Sequence, residues 1–358
     1  MREFIIVFSS VCLICMSSCI DEIQLSVPGD QTDGIAIQGR IVRGVDSYVR
    51  VGVSNAFDFS TDSRNAVVVR SVVVMDDIGN SMELPAIDIG EYGISLDETM
   101  PIQATVGRSY KVEVQTLDGR VFESDFDILS DTQPLENIGF GFVDKLVVDN
   151  LGGFQTEPRL AVTIDTEVDI NSEGGLLWEV ENVFQITDSP TDARIEMKTC
   201  YITEAVGRNR VHIVKPNELT VGRVDNLELF DTDINFKFGE GFYFIINQYT
   251  ISEAAFEYWN QVKILTERTG SMFDDPVGEV TTNIRNITNP ENRAYGFFFA
   301  ASVDFERRRV TEEFTGPVTP YCPPPVNNPP PFGCPFGICC DCLDVPNSTT
   351  DVPDYWEE

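Results

Sequence analysis

The chain has 358 residues, with 25 Lys and Arg against 58 Asp and Glu, so its formal net charge is −33. A hydrophobic content of 42 % is enough for folded cores and argues against wholesale disorder. The acidity argues against binding to nucleic acid, because every phosphate contact would begin in a repulsive field. A single histidine, His212, excludes metal sites built from several histidines.

The first 18 residues are typical of a secretory signal. One positive charge, Arg2, precedes an apolar run from Phe4 to Met16. This run is too short to span a bilayer, which takes about 20 residues. Residues 1–18 are therefore predicted to be a lipoprotein signal peptide that is removed.

The segment Met16–Cys19 resembles a bacterial lipobox, in which an apolar residue and two small residues precede a cysteine. In a lipoprotein that thiol receives a diacylglycerol, and the acylated N-terminus anchors the chain in a membrane. We therefore predict lipidation at Cys19 and a lipidated tether over residues 19–33. Cys12 and Cys15 are weaker candidates because each follows a bulky residue. The alternative is an ordinary signal peptide with an incidental cysteine.

Residues 34–130 predict an immunoglobulin-like β-sandwich. Apolar and polar residues alternate over Ile35–Ile41 and Tyr48–Val53, which is the period of a strand with one buried face. The run Ser109–Thr116 alternates in the same way, and Asp118-Gly119 behind it is a strong hairpin signal. Short strands at such intervals are typical of two packed sheets.

Residues 131–315 predict a second β-rich domain that contains one amphipathic helix. Thr250 to Glu253 is a plausible capping box for that helix. Apolar residues then recur at helical spacing until Gly270 closes the run. The sequence therefore predicts a helix over about 252–268, packed on a sheet.

Residues 316–358 form a Cys/Pro-rich tail that cannot build a core of its own and must be attached to the body. After removal of the signal and lipidation, six cysteines remain as disulfide candidates: Cys200, Cys322, Cys334, Cys339, Cys340 and Cys342. An even number in an exported chain suggests disulfides, with the pairing left open. A bridge from Cys200, which lies far from the others, would pin the tail to the second domain. The alternative is a thiolate metal site within the tail.

Other candidate chemistry is weak. Asp169–Gly174 and Asp231–Asn235 carry oxygen ligands in calcium-like patterns, but solvated turns are the default interpretation. His212 lies in an alternating strand, and we interpret it as a hydrogen-bonded strand residue rather than part of a catalytic triad. Glu306–Arg309 is either a salt-bridged strand end or a surface that docks an acidic partner. Carboxylate pairs suited to glycoside hydrolysis arise by chance among 58 acidic residues. We predict no catalytic residue, no metal site and no cofactor.

Several short motifs follow one another in a distinctive order. They are Gly34–Gly39, Ala66–Gly79, Gly90–Tyr92, Val106–Val114, Thr116–Arg120, Ile251–Trp259, Thr269–Gly278, Asn283–Asn286, Asn289–Glu291, Gly296–Phe298 and Pro353–Trp356. In this order they resemble the DUF4249 family of Bacteroidota outer-membrane lipoproteins. The resemblance implies an immunoglobulin-like N-terminal part and genes that often lie beside those of TonB-dependent receptors. It implies no catalytic residues.

We therefore expect an outer-membrane lipoprotein, anchored in lipid by its acylated N-terminus and exposed at the cell surface, with the periplasmic face as the alternative. The expected role is that of a non-catalytic accessory or ligand-binding module whose protein partner is a TonB-dependent receptor. The alternatives are a surface adhesion or envelope-structural protein and, less favoured, a carboxylate-based glycoside hydrolase. The sequence does not specify the ligand.

Overall fold

A computed structural model describes residues 34–55, 65–148, 152–190, 196–207, 210–267, 280–322 and 337–356. These residues are mainly β with few helices, which confirms the predicted fold class. Among them, no helix is both long enough and apolar enough to cross a bilayer.

Strands occupy most of the described chain. They are β1 (Ile35–Arg43), β2 (Tyr48–Asn55), β3 (Val69–Asp76), β4 (Ser81–Glu83), β5 (Ala86–Asp88), β6 (Glu91–Ser95), β7 (Ser109–Thr116), β8 (Val121–Ser124), β9 (Asp127–Ile128), β10 (Asn137–Val148), β11 (Phe154–Glu167), β12 (Gly175–Thr187), β13 (Thr199–Val206), β14 (His212–Val214), β15 (Arg223–Thr232), β16 (Phe242–Ile251), β17 (Ile284–Asn286), β18 (Ala294–Tyr295), β19 (Phe298–Arg309) and β20 (Ser348–Thr349). The α-helices are α1 (Glu253–Thr266), α2 (Glu312–Thr315) and α3 (Gly337–Cys340). Short 3-10 turns occupy Pro216–Glu218, Phe236–Phe238 and Cys342–Asp344.

The described strands form three sheets. The large sheet has the order β20-β13-β12-β16-β19-β1-β2-β6-β5, with β14 beside β12 and β18 beside β1. A second sheet has the order β17-β8-β7-β3-β4, with β9 beside β7, and a third has the order β10-β11-β15. The pairing is antiparallel except where β1 lies parallel to β18 and β19.

The two smaller sheets cover one face of the large sheet and enclose separate cores. The first core lies between β1, β2 and the second sheet, and it includes Ile37, Val51 and Tyr110. The second core lies between β12, β16 and the third sheet, and it includes Phe244 and Leu160. This arrangement leaves the opposite face of the large sheet for α1 and for solvent.

Strands from both sides of the predicted boundary at residue 131 share the large sheet. Gly39 of β1 pairs with Phe298 of β19, and β17 pairs with β8 in the second sheet. Gly296 permits this return because its φ is +95° and a Cβ there would lie 2.0 Å from the carbonyl oxygen of Ile37. The first sandwich is thus completed by a segment that follows α1 in the chain, which local patterns do not reveal.

Helix α1 confirms the predicted helix and corrects its cap. The side chain of Ser252, not that of Thr250, accepts the capping hydrogen bond, from the Ala255 N–H at 3.1 Å. Thr250 instead lies in β16, one residue before its end, and its hydroxyl accepts a hydrogen bond from the backbone N–H of Gln133. The helix packs on the uncovered face of the large sheet, against Phe297 and other buried aromatic and aliphatic side chains.

Candidate ligand-binding site

The predicted lipidation residue, Cys19, lies outside the described residues, as do the signal peptide and the tether around it. The disulfide candidate Cys334 also lies outside them. Lipidation at Cys19 therefore stays a prediction.

Two disulfides have both cysteines among the described residues, and they join the tail to itself and to the body. Cys200 is bonded to Cys342, and Cys322 is bonded to Cys339. Cys340 is disulfide-bonded as well. The tail cysteines Cys339, Cys340 and Cys342 therefore hold no thiolate for the alternative metal site.

The Cys200–Cys342 bridge attaches the tail to the large sheet, because Cys200 lies in β13. The end of the tail then lies along the same sheet. The indole Nε1 of Trp356 donates a hydrogen bond to Oε1 of Gln185 at 3.0 Å, and its ring centroid lies 4.8 Å from that of Tyr201. The tail thus forms a wall at one end of the uncovered face.

The calcium-like segments are engaged in local contacts. Asp231 is paired with Arg159 and with Lys145, whose Nζ lies 3.2 Å from Oδ2. Asp169 accepts a hydrogen bond from the backbone N–H of Asn171 in an exposed turn. Across the residues that the structure describes, no group of three or more His, Cys, Asp or Glu side chains is arranged to hold a metal ion.

His212 lies in β14, as predicted for a strand residue, but its expected hydrogen bond is missing. Its Nε2 is buried and has no hydrogen-bond partner among the described residues. Burial, followed by the charges of Arg210 and Lys263, lowers the pKa of His212 to about 4. The imidazole is therefore neutral at physiological pH.

The uncovered face of the large sheet carries a group of polar and aromatic side chains that the sequence analysis missed. We call it the open face and define it by Arg40, Arg50, Glu179, Asn247 and Arg307. The strand register places these side chains on one side, because Arg40 is opposite Arg50 and Glu179 is opposite Asn247. The open face lies between α1 and the end of the tail.

Arg40 is the central side chain of the open face. Its Nη1 lies 2.7 Å from Oε1 of Glu179, and its guanidinium carbon lies 4.8 Å from the centroid of the Tyr249 ring. The Arg40 side chain is 25 % exposed, so this ion pair is partly desolvated. The positive charge of Arg40 is therefore paired with the carboxylate of Glu179.

Arg50 and Arg307 have a different environment. The guanidinium carbon of Arg50 lies 5.7 Å from the ring centroid of Tyr48, and that of Arg307 lies 4.3 Å from Tyr355 and 4.6 Å from Phe305. Among the described residues, no carboxylate lies within salt-bridge distance of either arginine. The expected salt-bridged strand end is therefore wrong for Arg307, which packs on aromatic rings instead.

The α1 edge of the open face combines aromatic side chains with unused polar atoms. The hydroxyl of Tyr258 accepts a hydrogen bond from Nε2 of Gln38 at 3.4 Å. The buried Nε1 of the neighbouring Trp259 has no hydrogen-bond partner in the described structure. Gln38 therefore keeps a second amide proton for a molecule bound beside it, whereas the Trp259 N–H is buried and unpaired in the described structure.

Three adjoining clefts share Arg40 and Arg50. The helix cleft, about 370 Å³, lies beside Tyr258 and Trp259. The loop cleft, about 620 Å³, extends to His212. The tail cleft, about 370 Å³, extends to Arg307 and Tyr355. Their volumes are those of small-molecule sites, and their lining of rings with a few polar groups fits ligand binding.

The family model described as a domain of unknown function, DUF4249, matches residues 20–307, which is more than half of the chain. The chain belongs to the DUF4249 family. No curated protein and no solved structure matches it. The DUF4249 match includes Arg40, Arg50 and Glu179 of the open face, whereas Tyr355 of the tail lies beyond it.

The sequence contained one signal for this site. Arg40 and Arg50 alternate with the buried apolar residues of β1 and β2 in this DUF4249 chain, so they lie on the opposite face, which their charge marks as not fully buried. Their proximity to Glu179 and Arg307 depends on pairing between segments more than 130 residues apart in the chain, and no local pattern specifies that pairing.

Proposed function

We propose that the protein is an outer-membrane lipoprotein that acts as a non-catalytic accessory or ligand-binding module of a TonB-dependent transporter. The observation that carries the binding role is the open face, where three connected clefts expose arginines, an amide and aromatic rings. A rigid sheet is a good support for such a site because its side chains are held at fixed spacing. The lipobox and the DUF4249 membership support the location.

Mass spectrometry of the N-terminal peptide tests the anchor. We expect the native chain to begin at an acylated Cys19, and Cys19→Ala to leave the membrane fraction. Cys15→Ala is the matched control and should stay lipidated. An unmodified Cys19, or an intact signal peptide, would contradict the proposed anchor.

Digestion of intact cells with proteinase tests the orientation. A surface-exposed lipoprotein is degraded without lysis, because the protease reaches it directly. Protection until the outer membrane is opened would place the protein on the periplasmic side instead.

The hairpin β10–β11 supports the proposed protein partner. One face of this hairpin packs in the second core near Ile138 and Leu160. Toward the tip of the hairpin the same face carries four apolar side chains that are 59 to 73 % exposed: Phe142, Leu146, Val148 and Phe154. Exposed apolar patches on soluble modules mark protein contact surfaces. We therefore place the transporter contact on this hairpin.

Gentle co-purification from detergent-solubilised outer membranes tests that contact. We expect a TonB-dependent receptor to accompany the wild-type protein and to be lost from the double variant Leu146→Ser, Phe154→Ser. Ile78→Ser changes a comparably exposed side chain away from the hairpin and is the control. Recovery of the wild-type protein alone, or equal loss with Ile78→Ser, would refute the assignment.

A further inference from the structure

Most basic side chains of this acidic protein are committed to carboxylates, as Arg40 is to Glu179 at 2.7 Å. Within the described residues, Arg50 and Arg307 have no such ion pair, and neither do Arg43, Arg70, Arg210, Lys263 and Arg308; of these seven, Arg50 and Arg307 line the tail cleft. Their position in a cleft, rather than on a convex surface, suits a ligand that supplies the missing anion.

The packing of these two arginines leaves their hydrogen-bond donors available. A guanidinium that lies on an aromatic ring uses its flat face, and its N–H groups point outward in the plane. Arg307 is held in this way between Phe305 and Tyr355, and Arg50 lies over Tyr48. A planar fork of N–H donors matches a carboxylate in bidentate geometry.

The remaining lining defines the rest of the ligand. Asp46 and Glu181 also line the tail cleft, so a compact polyanion such as phosphate would be repelled, whereas carboxylates spaced along a longer ligand can each meet one arginine. Carboxylate oxygens accept hydrogen bonds from hydroxyl groups, and Asn247 both donates and accepts. The cleft lies on a sheet face, where no backbone edge is open to a peptide strand, so recognition depends on side chains.

We infer that the tail cleft binds an acidic oligosaccharide, in which one carboxylate is held by Arg50 and another by Arg307. The two arginines lie at opposite ends of the cleft, because Arg307 is eight residues along β19 from Phe299, which is level with Arg40 and Arg50. The inference rests on the proposed binding role and names the chemical class of its ligand. The aromatic rings of Tyr48 and Phe305 are placed to contact the apolar faces of the sugar rings, and Asp46 and Asn247 are placed to accept hydrogen bonds from the hydroxyl groups. The adjoining helix and loop clefts extend the groove, so an oligosaccharide fits better than a single sugar.

Isothermal titration of the full-length protein in a nonionic detergent tests this assignment, with trigalacturonate as the probe. We expect binding that weakens at least about tenfold when the carboxylates of the probe are methyl-esterified, because the charge-assisted hydrogen bonds are lost. Arg50→Gln and Arg307→Gln should each weaken trigalacturonate binding by a similar factor. Arg70→Gln changes an exposed arginine of the second sheet and should leave the affinity unchanged.

Four outcomes would overturn the inference. They are equal affinity for the esterified probe, unchanged affinity in both cleft variants, equal binding of benzoate or inorganic phosphate, and no heat of binding from protein with a native circular dichroism spectrum. Equal binding of benzoate would indicate a site for ring carboxylates in general, and equal binding of phosphate a site for anions alone. The lipidation and co-purification experiments are independent of this titration, so its failure would leave the anchor and the partner standing.

Discussion

Asp127 ties three parts of the fold together and should make stability depend on pH. It lies in β9 and is 4 % exposed. The hydroxyl of Ser252, which caps α1, donates to its Oδ1 at 2.5 Å, and the backbone N–H of Ala300 in β19 donates to its Oδ2 at 2.8 Å. One carboxyl group therefore joins the second sheet, the helix and the large sheet.

Burial outweighs these two hydrogen bonds and raises the pKa of Asp127 from 3.8 to about 6. The folded state then binds a proton more tightly than the unfolded state between those values. By linkage, the contribution of Asp127 is fully present below about pH 4 and is lost as the pH rises through about 6. A difference of about 2 pKa units corresponds to about 3 kcal/mol of unfolding free energy.

Urea unfolding of wild type and Asp127→Asn at several pH values from 3 to 8 measures this effect. The amide keeps the shape and remains neutral, so the stability of wild type relative to the variant should fall by about 3 kcal/mol between pH 3 and 8, with about 2 kcal/mol of that fall between pH 4 and 6. Asp97→Asn is a control of opposite sign, because hydrogen bonds from Thr99 lower the pKa of Asp97. If the difference in unfolding free energy between wild type and Asp127→Asn stayed constant across this pH range, the reasoning would be refuted.

Three other perturbations have defined outcomes. Burial lowers the pKa of His212 to about 4, so wild type should lose stability as the pH falls from about 6.5 to 4. His212→Gln should not show this loss, and a variant with the same pH profile of stability as wild type would contradict the prediction. Gly296 and Gly79 both have φ near +95°, but of the two only Gly296 lies against backbone. Gly296→Ala should therefore lower the free energy of unfolding in urea by about 2 kcal/mol more than Gly79→Ala. Equal losses of stability in the two variants would argue against the close approach. The Cys200–Cys342 bridge closes a loop with a sequence separation of 142. Replacing both cysteines by serine should therefore lower the free energy of unfolding by up to about 5 kcal/mol in the chain-entropy model. An unchanged unfolding midpoint would show that other contacts hold the tail.

The elements with strong local patterns were predicted well. Ser109–Thr116 forms β7, with Tyr110, Val112 and Val114 buried, as its alternation requires. The helix predicted over about 252–268 is α1 at Glu253–Thr266. In both cases the period of apolar residues decides the structure, because it shows which face each element buries.

The candidate site was not predictable in the same way. Arg40 and Arg50 are neighbours through the β1–β2 hairpin, which is local, but Glu179 and Arg307 reach them through β12, β16 and β19. The parallel pairing of β1 with β19 brings together residues that are far apart in the chain. The salt-bridged strand end predicted for Glu306–Arg309 is wrong at Arg307 because the aromatic rings of Phe305 and Tyr355, which that local pattern does not bring together, flank its guanidinium group.

The amino-acid sequence by itself determined the acidic charge, the β-rich class, the position of the helix, the family and the candidate lipid anchor, because each depends on composition or on neighbours in the chain. Only the tertiary structure decided that the strand after the helix returns beside β1, that the tail is bonded to β13, and that two arginines without carboxylate partners among the described residues share one cleft. The physical reason is that strand pairing is made by backbone groups common to all residues, so which distant strands meet is settled by the packing of the whole chain.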